Sequence, residues 1–256
     1  MDAPRLFEQP LEPGFFALVA DGMGGHAAGD VASRYATEHL AKLLPGANRQ
    51  DDIGFAVRQV NVGLCAEMCR EPRWLGMGTA VAGLMALRGG IAMFNVGDVR
   101  IYRIKKRELV QLTVDDSLDA TWEPGSWMPR SGTLTQCLGG ISGFLDIAPH
   151  LYREPCRAGS TYLLCSDGLY ESLRAEEMAA LIGPDLVRSA QALFDVAMAA
   201  ASSDNVSIIL VRLEAEQRRS ARTGQAAKRR PRAPKKRALQ RAGRRSRVTG
   251  HRRRRK

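Results

Sequence analysis

Apolar residues run along this chain in two rhythms. The stretch Phe15-Phe16-Ala17-Leu18-Val19-Ala20 is apolar without interruption, which predicts a short buried strand. From 28 to 44 the rhythm lengthens: Val31, Tyr35, Leu40 and Leu43-Leu44 mark one face of an amphipathic helix that Pro45-Gly46 stops. A second helix is expected over 51–70, where Ile53, Val57, Val60, Leu64 and Met68 recur at spacings of three and four. Strands then dominate. Residues 79–87 and 91–96 flank Arg88-Gly89-Gly90, whose glycines suit a hairpin turn, and 100–104 and 108–112 flank a charged turn. Residues 115–158 are rich in Pro, Gly and Ser with weak periodicity, and read as a largely irregular excursion. A strand at 161–165, helices near 175–182 and 185–200, and a closing strand at 206–213 complete the pattern. Strands clustered in the middle, with helices in pairs before and after, predict an α+β layered domain rather than alternating βαβ units.

Composition changes this picture at one end. The chain has 256 residues and a formal net charge of +11, but residues 218–256 hold 19 of its 38 Lys and Arg and no acid. The remainder has 19 basic against 27 acidic residues, so an acidic domain carries a basic tail. The tail includes Lys228-Arg229-Arg230-Pro231-Arg232 and Arg252-Arg253-Arg254-Arg255-Lys256, with almost no large apolar residues to offset the entropy of ordering. A disordered segment is expected over 214–256, and attraction to nucleic acid or an anionic surface is one use for it. The five cysteines are scattered without paired spacing and read as reduced thiols. With no apolar stretch long enough to span a bilayer and no signal-like N-terminus, a cytoplasmic location is the expectation.

The chemistry lies where strands end. Asp21-Gly22-Met23-Gly24-Gly25-His26 follows the first strand, Asp167-Gly168 follows 161–165, and Asp204-Asn205 precedes the last strand. An Asp held by a strand, followed by a glycine that turns the backbone, can offer a carboxylate and a carbonyl to one ion. Oxygen donors without a Cys or His cluster suit Mg²⁺ or Mn²⁺ over Zn²⁺ or copper. Two such ions sharing a water would favour phosphoryl hydrolysis. Any single Asp-Gly pair is usually an ordinary turn, and the glycine loop has neither GxGxxG nor Walker spacing.

The ordered set is more specific. Val19-Ala20-Asp21-Gly22-Met23-Gly24-Gly25-His26, Gly78-Thr79-Ala80, Asn95-Val96-Gly97-Asp98-Val99-Arg100, Leu112-Thr113-Val114-Asp115-Asp116-Ser117, Leu134-Thr135-Gln136-Cys137-Leu138-Gly139-Gly140, Leu164-Cys165-Ser166-Asp167-Gly168 and Ser203-Asp204-Asn205 together resemble the bacterial form of the metal-dependent Ser/Thr protein phosphatases of the 2C type. The resemblance implies a catalytic domain over 1–213, built as a layered α-β-β-α sandwich of two antiparallel sheets flanked by helices. It also implies two Mn²⁺ or Mg²⁺ ions, with Asp21 bridging them, the Gly22 carbonyl on one, and Asp167 and Asp204 completing the ligands. A metal-bridging hydroxide would attack phosphoserine or phosphothreonine of a protein substrate. Asp115 matches a position that helps bind a third, weaker metal, with a turn residue as the alternative. His26 is the candidate for protonating the leaving alkoxide. Asp2 and Asn205 fall behind the ligands.

The sequence also departs from the family pattern. The strand that usually comes first, and the Arg on it that would grip the substrate phosphate, are absent ahead of Asp2. Either the true start lies upstream of Met1, the favoured explanation, or the chain is a truncated pseudophosphatase that binds phosphoproteins without turnover. On the leading reading the protein reverses a Ser/Thr kinase. The phrases Val114-Asp115-Asp116-Ser117 and Ala148-Pro149-His150-Leu151-Tyr152-Arg153 are similar to those of phosphatases that accompany type VI secretion systems.

Overall fold

In the computed structural model the described residues are 4–23, 26–117, 134–140, 146–200 and 204–215, with His26 and Ala27 described by backbone alone. In chain order the elements are β1 (Phe16–Met23), α1 (His26–Leu43), α2 (Gln50–Arg70), β2 (Gly78–Leu87), β3 (Gly90–Val96), β4 (Arg100–Lys105) and β5 (Glu108–Gln111). There follow β6 (Leu138–Gly139), β7 (His150–Glu154), β8 (Thr161–Cys165), α3 (Asp167–Tyr170), α4 (Ala175–Leu181), α5 (Leu186–Ala199) and β9 (Ile208–Arg212). Asp2 and the expected basic tail from residue 216 onward lie outside the described residues.

The strands form two antiparallel sheets. One runs β1-β2-β3-β7 with β6 added beside β2, and the other runs β5-β4-β8-β9. All ten residues of β2 are buried, because α1 and α2 cover one face of its sheet and the second sheet covers the other. A strand covered on both faces reads as a continuous apolar run, which is why Gly78–Leu87 shows no alternation. β1 divides its side chains by the two-residue period of a strand. Phe16, Leu18 and Ala20 face the helices, whereas Val19 joins Ala82, Leu84, Ile101, Tyr162 and Leu164 between the sheets. A third core, built from Leu163, Cys165, Leu169, Met178 and Leu193, packs α3–α5 on the outer face of the second sheet. The α+β sandwich expected from the sequence is the fold observed.

Helix ends follow local chemistry. Asp52 accepts from the backbone N–H groups of Asn48 and Arg49, both at 2.9 Å, and so closes the start of α2. Asp185 caps α5 by accepting from the N–H of Arg188 at 3.0 Å.

Four expectations need correction. β1 does not stop at Ala20 but runs through Asp21 and Gly22 to Met23, paired with β2 as far as Gly78. Gly22 therefore sits in a strand rather than a turn. Its need for glycine is a close approach: a Cβ there would fall inside the backbone of Gly29 on α1, and one on Gly29 would meet the Gly22 carbonyl. Asp167 opens a helix rather than ending a strand.

The excursion 115–158, expected to be largely irregular, also contains two strands, β6 and β7. In β7 the polar residues hide the pattern because each has a partner. Glu154 pairs with Arg103 of β4 and accepts from the Tyr162 hydroxyl of β8 at 3.2 Å, joining the two sheets. Arg153 donates to the Arg88 carbonyl at 3.0 Å.

Candidate metal centre

The site is assembled by backbone contacts between elements. Asp21 lies opposite Ala80 in the β1–β2 ladder, and the Thr79 hydroxyl donates to the Asp21 carbonyl at 2.7 Å. Asp167 begins α3 one residue beyond the buried Ser166. The Ser166 hydroxyl donates to the Asn205 carbonyl at 3.2 Å and accepts from the Ser207 N–H at 3.0 Å, while its own N–H donates to the Ser207 carbonyl at 3.2 Å. The loop bearing Asp204 is thereby fastened to the start of α3. Asp98 leaves the end of β3 just after Gly97, whose φ of +93° suits glycine alone. The Tyr170 hydroxyl of α3 donates to the Asp98 carbonyl at 3.0 Å.

These elements bring four carboxylates into one electrostatic group. Burial pushes the Asp21 carboxyl well above the ordinary carboxylate range, and the charge of Asp167, a hydrogen bond with it, and the charges of Asp204 and Asp98 add to the effect. Burial likewise raises Asp167, with Asp204 adding to it. Asp98 is pushed up to about 6 by burial first and the Asp167 charge second. Glu171 is raised by burial and by Asp167 and Asp204. One oxygen of Asp167, Oδ1, is buried without a hydrogen-bond partner. Crowded like charges and an orphaned buried oxygen are costly unless a cation joins them. Oxygen donors alone fit a hard divalent ion. Among the described residues no three His, Cys, Asp or Glu side chains form a closed cage, so the carboxylates would have to draw together around an ion.

The neighbouring pair Asp115 and Asp116 is held quite differently. Arg100 donates to Asp115 Oδ2 through Nε at 2.8 Å and Nη2 at 2.6 Å, and Gln111 donates to Oδ1 at 2.9 Å. Asp116 Oδ2 accepts from the Gly97 N–H and from Gln136, both at 2.9 Å, and Oδ1 lies 2.8 Å from His150 Nε2.

The structure thus brings Asp21, Asp167 and Asp204 within electrostatic reach of one another and places Asp115 nearby in an ion pair. Gly22 directly follows Asp21. Asn205 contributes its carbonyl to the Ser166 latch. The side chain of His26 and all of Asp2 lie outside what is described. Asp98 and Ser166 were missed as site residues. Asp98 carried a readable signal, since it too is an Asp at a strand end, with its glycine before rather than after it. Ser166 carried none, because its role depends on a segment 39 residues away.

Comparison with known proteins agrees with this architecture. Residues 8–210 match the family model described as "Protein phosphatase 2C". The chain belongs to that family. It is 33% identical over 204 residues to the serine/threonine protein phosphatase PstP of Mycobacterium tuberculosis, covering 75% of this chain and 39% of that protein. The chain therefore spans about two fifths of the length of that relative. Among solved structures, the catalytic domain of PstP in complex with two manganese ions aligns at a TM-score of 0.68 and 30% identity, covering 78% of this chain and 88% of that one. PppA, a regulatory component of the type VI secretion system in Pseudomonas aeruginosa, aligns at 0.66 and 25% identity, covering 78% and 86%.

Proposed function

We propose that this chain is a protein Ser/Thr phosphatase that hydrolyses phosphoserine and phosphothreonine at a dinuclear Mn²⁺ or Mg²⁺ centre. The observation that carries the reading is the convergence of Asp21, Asp167 and Asp204 from three separate elements, with Asp21 and Asp167 pushed up in pKa and Asp167 Oδ1 left without a partner. Asp21 would bridge the ions, the Gly22 carbonyl would bind one, and Asp167 and Asp204 would complete the protein ligands. When bound, such ions supply an activated water and neutralise the charge of the phosphate. The Ser166 latch sets the spacing between the Asp167 and Asp204 backbones, and the Thr79 hydroxyl fixes that of Asp21. Asp115 would take a third, weaker metal, and His26 would give a proton to the departing side-chain oxygen.

Residues 1–213 would form the catalytic domain, opposing a Ser/Thr kinase. A role beside a type VI secretion system is supported by the Val114–Ser117 and Ala148–Arg153 phrases and by the likeness to PppA. The basic segment beyond 213 would add contact with nucleic acid or an anionic surface through counterion release. Loss of DNA binding on deleting 214–256, or its persistence, decides that point.

The deciding experiment is Mn²⁺-dependent release of phosphate from a phosphothreonine peptide by the chain and by Asp167→Ala. Turnover that needs Mn²⁺ and Asp167 supports the reading. Peptide binding without turnover would mean a binding protein instead.

A further inference from the structure

Arg100 is the feature of this centre that the proposed chemistry leaves unused. It opens β4, and its guanidinium lies 3.5 Å from the centre of the Tyr170 ring on α3, the helix that Asp167 begins. A guanidinium over a ring face is held by the ring quadrupole as well as by its hydrogen bonds. Two of its nitrogens converge on Asp115 Oδ2, and Nη1 donates to the Tyr102 hydroxyl at 3.1 Å. The Asp115 side chain is only 16% exposed, and its second oxygen is taken by Gln111. Oδ2 of Asp115 is therefore taken twice by a fixed positive charge, while Oδ1 accepts a single bond from Gln111.

We propose that Arg100 is a resident cation competing with metal for Asp115, so that an ion reaches Oδ2 only by displacing the guanidinium and, at Oδ1, binds against its positive charge. This rests on the reading above that Asp115 takes a divalent ion. It gives that site's weakness a cause within this chain: the ligand is already neutralised by a group fixed on three sides. It also makes Arg100 a positioning residue that ties the loop carrying Asp115 to α3. Displacing it would free the Tyr170 ring face and unlink the two.

Calorimetric titration of Mn²⁺ into the full chain tests the idea, comparing wild type, Arg100→Gln, Arg100→Lys and the double variant Arg100→Gln/Asp115→Asn. Arg100→Gln should tighten one Mn²⁺ event by about ten-fold or more, since a positive charge within a few ångströms of the ion is gone. The double variant should lose that gain. Arg100→Lys keeps the charge but not the fork, and should tighten the event by only about three-fold. Should Arg100→Gln not fold, the Lys variant carries the comparison. No Asp115-dependent tightening in either variant overturns the proposal. Two tight Mn²⁺ events that persist in every variant and vanish in Asp21→Asn report separately on the dinuclear centre.

Discussion

Two sets of carboxylates lie within one region of this molecule and are treated in opposite ways. Asp115 and Asp116 sit among donors: a guanidinium, two glutamine amides, an imidazole and a backbone N–H. Asp21, Asp98 and Asp167 sit mainly among each other, with Asp204 adding its charge, and burial raises all three. The first arrangement balances charge within the protein and holds loops in place. The second leaves charge unbalanced, which is tolerable only when something positive joins it. The lesson is that an acidic residue's partners, rather than its burial, separate a carboxylate whose charge the fold already balances from one whose charge is left for an ion to balance.

The strongest way to break this comparison is Asp167→Ala. Mn²⁺-dependent hydrolysis should fall roughly a thousand-fold, as expected when metal stabilisation of transition-state charge is lost. The metal-free variant should melt no lower than wild type, because it removes repulsion. A metal-free variant that unfolds would place Asp167 with the carboxylates that the fold itself balances.

The next largest effect concerns pH. Without metal, Asp98 keeps its proton in the folded protein up to about 6, whereas in the unfolded chain it ionises near the ordinary aspartate value of 3.8. Between those values the unfolded state binds fewer protons, so the contribution of Asp98 turns against folding as pH rises through the window. A shift of this size amounts to about 3 kcal/mol. In EDTA, thermal melts should show Asp98→Asn gaining on wild type from pH 4 to pH 7, and a flat difference would remove Asp98 from the crowded group. Added Mn²⁺ should stabilise wild type increasingly as pH rises.

Asp116→Ala should act in the other direction. It strips partners from the Gly97 N–H, Gln136 and His150, and should cost about 2 kcal/mol in urea unfolding, with or without metal. The smallest effect is expected of Thr79→Val, about 1 kcal/mol, from loss of the hydroxyl that donates to the Asp21 carbonyl.

Much of this was legible in the sequence. The buried strands β2, β3 and β8 are continuous apolar runs, and α1 and α2 keep helical spacing, so hydrophobicity alone locates them. Asp21, Asp167 and Asp204 stand out because each adjoins such a run. What stayed hidden depends on partners distant in the chain. β7 reads as irregular because His150, Arg153 and Glu154 are polar, and they are accommodated only through Asp116, the Arg88 carbonyl and Arg103. The engagement of Asp115 by Arg100 spans 15 residues across a hairpin, and no local pattern announces it. The demand for glycine at Gly22 is equally hidden, since it comes from the close approach of Gly29 rather than from a turn.

That contact between Gly22 and Gly29 has a mechanical meaning. Where side chains separate two elements, a rotamer change can absorb a small displacement. Here main chain rests on main chain, so the joint between β1 and α1 has almost no compliance. A push on the first turns of α1 would pass undamped into the strand segment that carries Asp21, making the helix a lever rather than a cushion for the acidic centre.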